Sequence, residues 1–236
     1  MKKMFLTLFS IYLSSSLFAI GGFGLNFNSD LVSISDSKLS KNMDGIIANI
    51  NTKGFDNLYG MGGFLYIDII PFADLELDFQ FTGNTYKFNI DTKTAAGSEV
   101  KSLPEQDFVW LRGSGYLTVR KDIIDLSLPV LGGVSWYAGG GLNTHSYSPF
   151  ITLDLLGSIV GDDLYSGSGF DTDSDEIIKK LKDKAKTTNG VHVQSGIQFK
   201  VLTFVGTLNF RYTIVEDLYP DISSFPSANF NIGFGI

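Results

Sequence analysis

The strongest constraint on this chain is a period-two alternation in which one face of a segment is apolar and the other is polar. In the segment 74–82 the odd positions are Leu and Phe, while Glu76 and Asp78 occupy even positions. Such alternation places the two sets on opposite faces of a β-strand. The pattern returns in 191–201, in 204–214 and in the last ten residues. The chain is therefore predicted to be all-β.

Eight alternating segments are joined by connections that are short and long in turn. The strands are predicted at 20–28, 57–70, 74–90, 106–120, 129–144, 190–200, 204–214 and 227–236. The short connections are 71–73, 121–128 and 201–203, and the long ones are 29–56, 91–105, 145–189 and 215–226. A soluble β-sandwich also alternates, but the aromatic-rich apolar face and the order of the connections favour a transmembrane barrel. We predict an eight-stranded antiparallel up-and-down β-barrel with the chain ends on the side of the short turns.

The alternation changes parity at Gly83 and Asn84. Tyr86, Phe88 and Ile90 fall on the parity opposite to that of the preceding apolar residues. A two-residue hairpin turn or a bulge within one long strand would explain the change. We favour the bulge, because a hairpin would give nine strands and would place the chain ends on opposite sides.

The amino terminus has the layout of a secretory signal peptide. Lys2 and Lys3 precede an apolar run, a serine-rich stretch and a small-residue exit at Ala19. An uncleaved anchor helix would need about 20 apolar residues, more than this run offers. The predicted division is a signal peptide over 1–19, cleaved after Ala19, and one barrel domain over 20–236.

The composition excludes several classes of function. With no cysteine, the chain has no disulfide, thiolate metal site or cysteine nucleophile. Its formal charge of -7 makes nucleic acid a poor partner, since that function needs a clustered basic surface. We expect no cofactor.

The predicted inward face carries charges of both signs. An eight-stranded barrel is just wide enough for its own side chains or one small ligand, and an unpaired ion buried there costs several kcal/mol. We therefore predict a salt-bridged interior that blocks the flow of solutes, with a selective ion path as the alternative. The predicted network comprises Asp68, Glu76, Asp78, Arg112, His192, Lys200 and Arg211.

The third long loop contains the one predicted helix. Asp173 and Glu176 form a capping box, and an amphipathic segment follows to Ala185. This helix is predicted to pack over the barrel mouth, to lie at lipid headgroups or to be solvated. Asp171, Asp173 and Asp175 alternate before it, but the glycine and glutamate of a calcium loop are missing, so no metal site is expected.

Catalysis would depend on the two histidines. His145 lies near Ser146 and Ser148 at a predicted loop edge, and His192 points into the barrel. A deacylase-like site needs serine, histidine and an orienting carboxylate close together, and no acid lies at local spacing. We expect the protein not to be an enzyme.

The whole mature chain resembles the small eight-stranded bacterial outer-membrane β-barrel proteins of the OmpA, OmpX and OmpW kind. The resemblance rests on the signal peptide, the eight amphipathic strands and a terminal strand with Phe230, Ile232, Phe234 and Ile236. It implies an outer-membrane location, contact with membrane lipid, and recognition of these four residues by the barrel-insertion machinery. Members of this group usually end in an aromatic residue, whereas this chain ends in Ile236.

Two functions remain open. The preferred one is a non-enzymatic surface barrel that anchors in the membrane and whose acidic loops contact ions, polysaccharide or a receptor. The alternative, implied by the OmpW-like comparison, is a conduit or binder for small hydrophobic molecules. Its candidate lining is Phe64, Tyr66, Trp110 and Tyr116, which share the polar parity of their strands.

Overall fold

The computed structural model describes residues 21–43, 46–70, 73–94, 101–128, 132–155 and 183–235. Some side chains at strand ends, Asp68 among them, lie outside this description, as do the predicted signal peptide, residues 173–182 of the predicted loop helix and Ile236. Ten strands are described: β1 (Gly21–Ile34), β2 (Ser37–Met43), β3 (Ile46–Thr52), β4 (Phe55–Ile70), β5 (Ala73–Thr94), β6 (Lys101–Leu128), β7 (Gly132–Tyr147), β8 (Lys186–Val201), β9 (Phe204–Tyr219) and β10 (Ile222–Gly235).

Eight of these strands form a closed antiparallel ring. Its order is β1, β4, β5, β6, β7, β8, β9 and β10, and β10 returns to β1 with Phe23 opposite Phe234 and Phe27 opposite Phe230. Closure leaves no free sheet edge along the paired stretch. The predicted all-β, eight-stranded antiparallel barrel is confirmed.

The remaining two strands form a hairpin inside the first long connection, which had been predicted as a loop. β2 pairs with β3, and β3 pairs with the far end of β5, from Thr52 opposite Phe88 to Ile46 opposite Thr94. The hairpin therefore extends one wall of the barrel beyond the ring.

The connections at the end near the chain termini are tight. β8 and β9 are joined by Leu202 and Thr203, with Leu202 at a φ of 54°. β6 continues to Leu128 and pairs with β7 from Gly132, so the short connection predicted at 121–128 is strand. At the other end, β9 and β10 meet at a two-residue turn of Pro220 and Asp221, so the predicted long loop 215–226 is also mostly strand.

The prediction of a bulge at Gly83 and Asn84 is wrong, and so is the hairpin alternative. β5 is one continuous strand, and its pairing with β6 keeps its register from Asp74 to Phe88. Tyr86, Phe88 and Ile90 point inward, on the same face as Glu76. The buried even-numbered residues of β5 therefore point inward on both sides of Gly83, but they are polar before it and apolar after it.

Candidate functional site

The outward face of the ring is an apolar belt. Phe79 is 60% exposed and Phe210 61% exposed, while their inward neighbours Asp78 and Arg211 are 1% exposed. Such exposure is costly in water, because about 25 cal/mol is lost for each Å² of apolar surface left hydrated. The aromatic members of the belt are Phe23, Phe27, Tyr59, Phe79, Phe81, Trp136, Phe199, Phe204, Phe210, Tyr212, Phe230 and Phe234.

The inward face near the chain termini is a buried polar network, which we call the polar interior. It is organised around three arginines, and each is paired with a carboxylate. Arg112 Nη1 lies 2.5 Å from Asp30 Oδ2, Arg120 Nη1 lies 3.0 Å from Glu76 Oε2, and Arg211 Nη2 binds Asp78. Pairing of this kind offsets the cost of removing ions from water.

The Arg211–Asp78 pair bridges the lumen, whereas Arg120 and Glu76 lie on the neighbouring strands β6 and β5. Arg211 is on β9 and Asp78 on β5, and these strands are four positions apart in the ring of eight, on opposite walls. Gln194, on β8, accepts from Arg211 Nε at 2.9 Å and donates to Glu76 Oε1 at 2.8 Å. Three walls are thereby linked through side chains that cross the centre of the barrel.

Aromatic rings cover the arginines. The Arg211 guanidinium lies 3.9 Å from the ring centroid of Tyr116, and that of Arg120 lies 4.8 Å from both Tyr66 and Tyr137. These are cation–π distances. The guanidiniums are thus held by carboxylates through their N–H groups and by rings on their faces.

The histidines are hydrogen-bonded inside the barrel. His145 lies on the inward face of β7 and not at a loop edge, so the earlier placement is corrected. Its Nδ1 is 2.9 Å from Ser114 Oγ and its Nε2 is 2.9 Å from Asn143 Oδ1. His192 points inward as predicted, with Nε2 2.9 Å from Thr118 Oγ1.

The order Ser114, His145, Asn143 is that of a nucleophile, a base and an orienting group. However, Ser114 is 6% exposed and His145 is fully buried. A substrate would have to enter the polar interior to reach the hydroxyl, so burial argues against use of this chain of hydrogen bonds in catalysis. Within the described ranges, no group of three or more histidine and acidic side chains could hold a metal ion.

The four aromatic residues predicted to line a ligand space are buried but lie in three places. Phe64 and Tyr66 stack with centroids 6.3 Å apart and share a small cluster with Val205. Tyr116 lies between the two histidines, with centroid distances of 5.5 and 5.2 Å. Trp110 belongs to a separate, larger apolar cluster. The structure does not bring the four together.

The far half of the interior is an apolar core, which we call the outer core. It is formed by inward residues in the parts of the ring strands far from the chain termini, by Ala48 and Ile50 of β3, and by Ile151, Leu153 and Leu155. The Ile151 N–H donates to Tyr86 Oη at 2.8 Å and fixes this segment against β5. Its buried members include Ile50, Leu58, Tyr86, Phe88, Ile90, Phe108, Trp110, Tyr147, Ile151, Leu153, Leu218 and Phe225.

Sequence reasoning found part of the polar interior. Glu76, Asp78, Arg112 and Arg211 are paired there, whereas Lys200 is half-buried at its end with Nζ 5.4 Å from the Tyr66 centroid. Arg120 and Asp30 were missed. Arg120 shares the inward parity of Arg112, and this signal could have identified it. Asp30 lay beyond the predicted end of the first strand.

A scan of protein-family models and a search of curated proteins found no match. Among solved structures, the chain matches the outer-membrane protein OprG from Pseudomonas aeruginosa at 13% identity and a TM-score of 0.40, covering 92% of this chain and 96% of that one. It matches Ail, the attachment invasion locus protein of Yersinia pestis, at 7% identity and a TM-score of 0.37, covering 93% and 100%. Ail in complex with the heparin analogue sucrose octasulfate matches at 8% identity and a TM-score of 0.36, covering 92% and 99%.

These matched structures are outer-membrane β-barrel proteins, but the similarity is low and the barrel is defined by the strand pairing itself. No helix in the described parts of the chain has the length and hydropathy needed for a membrane span.

Proposed function

We propose that the protein is a non-enzymatic barrel of the bacterial outer membrane, exported with cleavage near Ala19, whose closed interior anchors an outward-facing head. The head consists of the outer core and the strand extensions around it. One observation carries the proposal. The apolar side chains are exposed on the outside of the ring, while Arg211 and Asp78 join opposite walls across its inside.

The belt supports insertion in lipid. Transmembrane barrels face lipid with apolar residues and aromatic girdles and keep polar residues inside. The even number of ring strands puts both chain ends on one side, with the head on the other. Phe230, Ile232 and Phe234 lie on the outward face of β10, where the insertion machinery would contact them. Export would place the termini in the periplasm and the head outside the cell.

The interior supports anchoring without free passage of solutes. Arg211 and Asp78 meet across the lumen from opposite walls, and the buried outer core lies beyond them; both features support an interior closed to solutes. A purified, refolded protein is expected to migrate differently on a gel before and after boiling and to give no large, stable conductance in a planar bilayer. A stable conductance would contradict the closed interior while leaving the barrel in place.

A second function is favoured by one surface feature. A groove of 650 Å³ opens on the outward wall beside Phe81, Gly83, Leu111 and Gly113, where β7 leaves β6. A small hydrophobic molecule could enter there from the belt. If the protein is such a conduit, Leu111→Trp fills the groove and slows uptake of a fluorescent apolar dye into cells. An anchoring role predicts unchanged uptake.

A further inference from the structure

A cavity of 470 Å³ lies at the outer mouth, between the end of β1, the β2–β3 hairpin, residues 150–152 and the β9–β10 turn. Its volume falls within the range of about 300–1,000 Å³ that is usual for small-molecule sites. It is separate from the polar interior, because the outer core lies between them. Nothing in the proposed anchoring role uses it.

One wall of the cavity is aromatic. Phe55 is stacked on Tyr86 at 5.9 Å and on Phe150 at 6.3 Å, and Tyr86 and Phe150 are 5.9 Å apart. Tyr86 is 3% exposed and held by the Ile151 N–H, so it supports the other two from beneath. Phe55 and Phe150 are only half-buried and keep accessible surface. The result is an apolar platform of stacked rings with accessible surface for a flat partner.

The cavity also has polar lining residues. Asp36, Lys53, Asp221 and several serine and threonine hydroxyls line it. Asp36 accepts from the Gly54 N–H at 2.8 Å and from Lys53 Nζ at 3.2 Å. The hydrogen bond from the Gly54 N–H, and to a smaller extent that from Lys53, holds the pKa of Asp36 below its usual value. The polar lining therefore combines an ionised carboxylate acceptor with hydroxyls that both donate and accept.

A pyranose ring has the matching chemistry. One face of the ring is a patch of C–H groups that packs on an aromatic surface, and its edge carries hydroxyls that donate to carboxylates and exchange hydrogen bonds with serine and threonine. We propose that this cavity binds a neutral hexopyranose unit, such as the end of a surface glycan, with the ring on Phe55 and Phe150 and its hydroxyls on Asp36 and Asp221. This inference rests on the proposed function in one respect: the proposed function places the cavity outside the cell, where it can meet a surface glycan.

Charge selects against acidic sugars. Two carboxylates and one lysine line the cavity, and that lysine is already bound to Asp36. An anionic sugar would meet like charge without a free cation among these lining residues. A sulfated or carboxylated sugar is therefore expected to bind more weakly than its neutral counterpart.

The test uses the full mature chain in detergent micelles and saturation-transfer NMR with four methyl pyranosides: glucoside, galactoside, mannoside and N-acetylglucosaminide. At least one is expected to receive saturation on its ring C–H protons. Phe150→Ala and Asp221→Asn are each expected to weaken that binding about five-fold or more. Phe150→Leu, which keeps apolar bulk without a ring, is expected to fall between wild type and Phe150→Ala.

Asp217→Asn is the matched control. Asp217 and Asp221 both have positive φ, 61° and 58°, near the same turn, but only Asp221 lines this cavity. Asparagine tolerates that backbone conformation as aspartate does, so neither variant should disturb folding. Asp217→Asn is expected to bind the pyranoside as wild type does.

Three results would overturn the inference: no transfer to any pyranoside, equal loss in Asp217→Asn and Asp221→Asn, or stronger binding of glucuronate than of the glucoside. Boiled and unboiled samples of each preparation are compared on a gel. Absence of binding by a heat-modifiable barrel defeats the sugar site alone, whereas loss of heat modifiability in the wild-type protein defeats the proposed function.

Discussion

Along β5 the inward positions begin with Glu76 and Asp78 and end with Phe88 and Ile90, although the strand is continuous. The outward positions change in the opposite sense, from Phe79 and Phe81 to Lys87. In the polar interior the ionic groups are enclosed by the apolar belt, and in the outer core the apolar groups are enclosed by polar surface. In the proposed membrane location the two halves of β5 face different media outside the ring, lipid at the belt and water beyond it, which accounts for their opposite patterns.

The energetics of the halves differ as well. The polar interior is held by ion pairs and hydrogen bonds that are valuable only when complete, since removal of one partner leaves a buried charge. The outer core is held by apolar contacts, where truncation removes transfer free energy and leaves a cavity. Substitutions in each half are therefore expected to differ in the size of their effect and in how far it spreads.

The largest effect is expected from Arg211→Met in the polar interior. It leaves Asp78 buried without its cation on the opposite wall, which costs about 3–5 kcal/mol. Urea unfolding in lipid vesicles measures the loss. The double variant Arg211→Met with Asp78→Leu is the control and should recover a large part of it. A double variant no better than the single one would show that the charges do not act as a pair.

Phe88→Ala tests the outer core. Truncation of a buried phenylalanine costs about 3–5 kcal/mol, but here the loss should be confined to the head. Limited proteolysis is expected to cut the β2–β3 hairpin faster while the barrel fragment stays heat-modifiable. Collapse of both parts together would mean that the halves form one cooperative unit.

Substitution of the adjacent residues Gly62 and Gly63 by alanine tests how closely β4 approaches its neighbouring strands. A Cβ at inward Gly62 would lie 1.7 Å from the Phe79 carbonyl oxygen, whereas one at Gly63 would meet nothing closer than 3.4 Å. Gly62→Ala is expected to cost about 1–3 kcal/mol or more as overpacking. Gly63→Ala serves as the control and should leave the urea midpoint unchanged. Equal midpoints for the two would contradict the described strand approach.

The smallest effect is expected at the exposed pair of Lys87 and Glu105, whose Nζ and Oε1 are 2.7 Å apart. Both side chains are about half exposed, and solvent screens such pairs. Lys87→Gln should leave the urea midpoint unchanged at low and high salt. A clearly lower urea midpoint at low salt would show that this exposed ion pair contributes to stability.

The strands could be predicted from the period-two alternation, which places alternate side chains on opposite faces. The barrel followed from the aromatic-rich apolar face and from the alternation of short and long connections. The prediction failed at Gly83, where apolar residues were assumed to face outward along the whole strand. In the structure that assumption holds for Phe79 and Phe81, which are exposed, whereas Phe88 points inward and is buried. The β2–β3 hairpin was missed for a related reason, because its short strands show no continuous outward apolar face.

The candidate sites were less predictable than the fold. Arg211 and Asp78 were placed inside by parity, but their meeting across the lumen depends on the ring order and on strand stagger. The cavity at the mouth depends even more on tertiary structure. Asp36, Phe55, Phe150 and Asp221 are brought together from three distant stretches of the chain, and no local spacing relates them.

In the proposed function the belt faces lipid and the ionic residues face the centre of a closed ring. The chain has no native cysteine, so single-cysteine variants at Leu77, Asp78, Phe79 and Gln80 can each carry one spin label in lipid vesicles. Collision with oxygen, which concentrates in lipid, is predicted to be high at 77 and 79 and low at 78 and 80. Equal values at all four positions, or high access of a water-soluble nickel reagent at 77 and 79, would contradict the account.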